Sequence, residues 1–102
     1  MFSKISKLCI KYKICFCLEA NPKIYKTKYL THTSNSIDLV KKINNQYFKI
    51  NLDLGTIIAN KENFEVIIKN NLKFIGHAQI SSPGLKNLLY HKEKINLFIK
   101  TL

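Results

Sequence analysis

At 102 residues the chain makes one ordinary domain, and 46% hydrophobic residues set it apart from disordered, highly charged sequences. Its net charge of +11 comes from 17 basic residues against 6 acidic ones, and every basic residue is a lysine. Without arginine, the bidentate reader of guanine and phosphate, and with the lysines spread along the whole chain, nucleic-acid recognition is not favoured.

Taken in chain order, "SKISKLCIKY" (3–12) interleaves apolar residues and lysines at a spacing that predicts a leading helix within residues 1–13. "ICFCLE" (14–19) is a compact apolar run and predicts a buried strand. Cys9, Cys15 and Cys17 are odd in number, which argues against a secreted disulfide framework. The last two form Cys-x-Cys, not the Cys-x-x-Cys of zinc and redox motifs, and are expected to be buried small hydrophobes. "ANPKIYKTKYLTHTS" reads as a polar loop punctuated by proline.

"SNSIDLVKKIN" predicts a helix with Ser34 to Ser36 offering N-cap oxygens. "YFKINLDLG" (47–55) alternates Phe48, Ile50, Leu52 against Lys49, Asn51, Asp53, which is strand periodicity. Asn60 is expected to cap a helix over "KENFEVIIKNN", with Phe64, Ile67, Ile68 and Leu72 on one face. "KFIGHAQIS" predicts a third strand, Pro83-Gly84 a type II turn, and "HKEKINLFIKTL" a last amphipathic helix. No run approaches the roughly 18 apolar residues of a membrane span, and lysines interrupt any leader-like segment at the start. A cytoplasmic protein without membrane contact is therefore expected.

The expected architecture is α/β, a single domain over 1–102: a leading helix (1–13), then three strand–helix units (14–102) forming a parallel sheet. Each strand ends on an oxygen donor: Glu19, Asp53 and Gln79. Parity places Cys15, Cys17 and Glu19 on one strand face, Lys49, Asn51 and Asp53 on one face of the next, and Ile75, His77 and Gln79 on one face of the third. If these faces coincide, the three donors converge at the carboxyl-end rim, where α/β folds place their sites. Such a donor set suits a hard divalent ion, Mn²⁺ or Mg²⁺. Ordinary roles are equally available: Glu19 capping the next loop, Asp53 in an Asx-turn, Gln79 satisfying loop backbone, and His77 half-buried.

The pieces "CLEANPKIY", "INLDLGTIIAN" and "FIGHAQISSPGL" occur in an order and at separations that resemble the sugar phosphate isomerase/epimerase family. The resemblance runs from about Ile14 to Leu102. It implies a partial xylose isomerase-like TIM barrel, equivalent to barrel strands five to seven. By resemblance Glu19 is a metal ligand and catalytic acid/base, Asp53 and Gln79 are metal ligands, and His77 is a substrate-side residue. Two departures stand out. Gln79 occupies the place where many members carry the second histidine of a His-x-His pair. Ser82 stands where close relatives have glutamate in Ser-Glu-Pro-Gly-Leu.

The resemblance also implies a sugar or sugar-phosphate substrate and proton transfer beside its carbonyl, which takes two bases on opposite sides. Only Glu19 is matched, since strand eight and its glutamate, like strands one to four, have no counterpart here. A lone chain is therefore expected to be inactive as a fragment or split subunit, with three outcomes open: pairing with a complementary half-barrel, self-association, or, favoured by the missing base, the remnant of a broken gene. The competing expectation is a small basic binding or assembly protein without catalysis.

Overall fold

The computed structural model describes residues 2–26, 28–82 and 91–102. The fold is organised around the strand with the clearest alternation. In β2 (Phe48–Asp53) the side chains of Phe48, Ile50 and Leu52 are buried, while Lys49, Asn51 and Asp53 are half-buried on the opposite side. Strand β1 (Phe16–Glu19) pairs parallel on one side of β2 and β3 (Ile75–Gln79) on the other, giving a three-stranded sheet in the order β1-β2-β3. The α/β class and the parallel sheet thus agree with the sequence expectation.

Helices supply the crossovers. Helix α1 (Phe2–Tyr12) precedes β1, α2 (Thr33–Ile43) joins β1 to β2, and α3 (Leu54–Ala59) with α4 (Phe64–Asn71) joins β2 to β3. Helix α5 (Lys92–Thr101) closes the described chain. Ile37 and Val40 of α2, Leu54 and Ile57 of α3, Phe64 and Ile68 of α4, and Phe98 of α5 share one core cluster with Phe48, Ile50 and Leu52. Phe2 of α1 meets Phe48 edge-on at 5.8 Å, and Phe16 stacks on the same ring at 4.9 Å. Burying this cluster, with Phe2 and Phe16 partly buried against it, contributes to the driving force for folding.

All five helices among the described residues therefore pack on one face of the sheet. That is unusual for parallel strands, which are normally covered on both faces. The open face carries Cys15, Cys17, Glu19, Lys49, Asn51, Asp53, His77 and Gln79, all half-buried or exposed. It is also concave. A Cβ placed on Gly76 of β3 would stand 2.8 Å from Cys17 Sγ, so a β1 side chain reaches across the central strand to the backbone of β3.

Several local expectations need correction. Helix α2 starts at Thr33 with His32 as N-cap, not at Ser34 to Ser36. Its first orphan donor is satisfied from far away: Glu62 Oε1 accepts the Thr33 N–H at 3.1 Å and Glu62 Oε2 accepts the Thr33 hydroxyl at 3.2 Å. Helix α4 is capped by Asn63, whose side-chain oxygen accepts the Val66 N–H at 3.2 Å. Asn60 instead ends the unforeseen helix α3, and its amide donates to the Thr31 carbonyl at 2.8 Å. Leu72 is 65% exposed because the chain tightens into a 3-10 turn at Leu72–Phe74, which rotates it off the apolar face.

The third strand is bulged. Ile75 pairs with Ile50, but the next pair is His77 with Asn51, so Gly76 is the extra residue. Ile75 thereby joins the core side and does not share the face of His77 and Gln79. Among the cysteines only Cys9 is buried; Cys15 is exposed and Cys17 half-buried on the open face. The predicted turn at Pro83-Gly84 lies outside the described residues. Among the described residues no helix is long and apolar enough to cross a membrane.

Candidate metal and acid/base site

The register decides which polar residues meet. Glu19 is paired with Asn51, Asn51 with His77, and Asp53 with Gln79, all on the concave face. One asparagine ties them together. Asn51 Nδ2 donates to Glu19 Oε2 at 2.9 Å and to Gln79 Oε1 at 3.0 Å. Its Oδ1 lies 2.8 Å from His77 Nδ1. With the amide nitrogen turned to the two acceptors, the histidine must be the donor, which sets Nδ1–H as its protonated nitrogen. Asn51 thus has both amide protons and its oxygen engaged.

Asp53 is held differently. It ends β2 and caps α3, its Oδ1 accepting the Gly55 N–H at 3.2 Å and the Ser81 hydroxyl at 2.6 Å. Thr56 Oγ1 stands 3.2 Å from both Asp53 Oδ2 and the Ala20 carbonyl, so its single proton is shared between them. Ser81 can come this close because residue 55 is glycine; a Cβ there would overlap the Ser81 hydroxyl. The Asx-turn foreseen for Asp53 is therefore present, and it fixes the carboxylate at the rim.

Glu19, Asp53 and Gln79 line one cleft of about 410 Å³, together with Thr56, Ser81 and Tyr25. His77 is not among its lining residues and reaches the group only through Asn51. The cleft sits past the carboxyl ends of the three strands, the rim where the residue pattern placed it. Asn51, Thr56 and Ser81 were not picked out as site residues from sequence. Asn51 carried the one available signal, a polar residue two places before Asp53 on the same strand face.

Two carboxylates and an amide oxygen match a hard cation in donor type, while the thiols lie lower on the same face. Among the described residues no three His, Cys, Asp or Glu side chains form a cluster able to hold a metal ion, so any ion at the rim depends on Gln79 as third donor. The environment of Cys17 on this face shifts its thiol. Burial, then the hydrogen bond and charge of Cys15, push its thiol up to about 11, with Lys49 pulling weakly the other way. No protein-family model, curated protein sequence or solved structure matches this chain.

Proposed function

We propose that the chain is a three-unit segment of a (β/α) barrel of the sugar phosphate isomerase/epimerase type. In this reading Glu19, Asp53 and Gln79 hold a Mn²⁺- or Mg²⁺-like ion, and Glu19 moves a proton on the carbon beside a sugar carbonyl. The observation that carries it is the shared cleft: three donors from three successive parallel strands line one pocket at the carboxyl-end rim. The concave face, without helices among the described residues, supports the barrel part, since that face would become the barrel interior.

The ion, when bound, would polarise the sugar carbonyl and so make the neighbouring C–H acidic. The chain's own residues do the rest. Glu19 is exposed at the cleft and reaches a substrate proton, with its Oε2 held by Asn51. Asp53 keeps a fixed carboxylate through its three bonds, which makes it the rigid corner of the donor set. His77 lies outside the cleft lining and acts through Asn51, which it orients from the far side.

Among the described residues β1 and β3 pair only with β2, which leaves their outer edges open. This favours completion by further strands, from a complementary half-barrel or a second copy, which would also bring the second base. Calorimetric titration with Mn²⁺ tests the metal part. Wild type should bind one ion per chain, and Glu19→Ala/Asp53→Asn should bind none. A folded wild type that takes up no Mn²⁺, or a variant that binds equally well, overturns the reading.

A further inference from the structure

We propose that Cys15 and Cys17 form a second cation site on the open face, for a soft, thiophilic ion of the Zn²⁺/Cd²⁺ class. The site is separate from the oxygen donors at the rim and does not depend on the function proposed above. Cys17 belongs to β1 and Cys15 immediately precedes it; both sulfurs lie beside the position a Cβ on Gly76 would take, so both thiols stand over the open face. Their sulfurs are 3.9 Å apart. Two metal–sulfur bonds of about 2.3 Å spanning 3.9 Å enclose an angle of about 115° at the ion. That lies between tetrahedral and trigonal, so the two sulfurs are already spaced to share one ion with no backbone movement.

The two sulfurs come together at the bulge. A Cβ on Gly76 would stand 2.8 Å from Cys17 Sγ and 3.2 Å from Cys15 Sγ. Only glycine there lets both sulfurs lie against the backbone of β3. Ordinary packing accounts poorly for the pair, because Cys15 is exposed and Cys17 only half-buried, whereas structural cysteines are usually buried. Sulfur below and oxygen above then divide one face by ligand softness, since thiolates select Zn²⁺-class ions and carboxylates select Mn²⁺ and Mg²⁺.

Cd²⁺ titration of the full chain, reduced with a phosphine and followed by sulfur-to-metal charge-transfer absorption, tests the site. Wild type, Cys9→Ser and Glu19→Ala/Asp53→Asn should each show a one-to-one end point. Cys15→Ser and Cys17→Ser should each lose it while keeping the wild-type circular dichroism. The proposal is overturned if folded wild type shows no end point, if either serine variant of the pair retains it, or if it vanishes with Cys9. Because the rim variant leaves the cadmium site intact, failure here and failure of the Mn²⁺ titration are independent results.

Discussion

Asn51 and Glu19 face each other across neighbouring parallel strands, with the asparagine Nδ2 2.9 Å from the carboxylate Oε2. The same nitrogen reaches Gln79, and the asparagine oxygen meets His77, so one side chain on the central strand orients three residues of the candidate site. Its role is to hold donors, not to be one.

Asn51→Ala should therefore weaken Mn²⁺ binding by about 10–100-fold, the usual effect of losing a residue that orients metal ligands. Calorimetry on the variant checks this. An unchanged affinity would mean that Glu19 and Gln79 orient themselves.

Asp53 has two tasks that substitution can separate. Asp53→Ala removes an N-cap and should cost about 0.5–2 kcal/mol in denaturant unfolding. Asp53→Asn keeps a capping oxygen and should stay near wild-type stability while losing the ion. If both variants unfold alike, the cap seen at Gly55 contributes little.

Phe98 lies at the centre of the packing of α5, fully buried, its ring edge-on to Phe64 at 5.6 Å. Phe98→Ala should cost about 3–5 kcal/mol, a large share of the stability of a domain this size. Equilibrium unfolding gives the value. A loss well below that range would show that α5 is not integral to the core.

The Cys17 thiol is displaced from 9.0 to about 11, first by burial and then by Cys15. Between these values the unfolded chain has released its proton while the folded chain keeps it, so this group makes the fold less stable as pH rises through that window. The alkylation rate of Cys17, followed by mass spectrometry against pH, should reach half its maximum near pH 11. In Cys15→Ala the midpoint should move down, because the hydrogen bond and charge of Cys15 are lost while burial still raises it and Lys49 lowers it. A midpoint already at the ordinary value in wild type would contradict the environment described for this thiol.

The rim was legible because strand parity is a strict rule: Glu19 and Asp53 end their strands on the same face as Cys17 and Asn51, and the structure keeps that order. Gln79 was placed correctly only in part by that rule, since the bulge at Gly76 shifts Ile75 to the core side while leaving His77 and Gln79 on the open one. A bulge adds one unpaired residue without leaving a mark in the alternation. The caps were unreadable for another reason. Thr33 is satisfied by Glu62, a partner 29 residues away, and no local pattern encodes such a contact. Helix α3 escaped notice because its six residues are too few for a helical period to emerge. Cys15 and Cys17 look apolar in a linear reading; among the described residues no helix covers their face, and Cys15 is exposed there.

The central claim, an ion seated among Glu19, Asp53 and Gln79, is most directly tested by paramagnetic broadening of amide resonances during Mn²⁺ addition. The account predicts early loss of the Glu19, Asp53 and Gln79 signals, with those of α1 retained at substoichiometric metal. Uniform broadening, or first losses at exposed helix carboxylates such as Glu65 and Glu93, would contradict it.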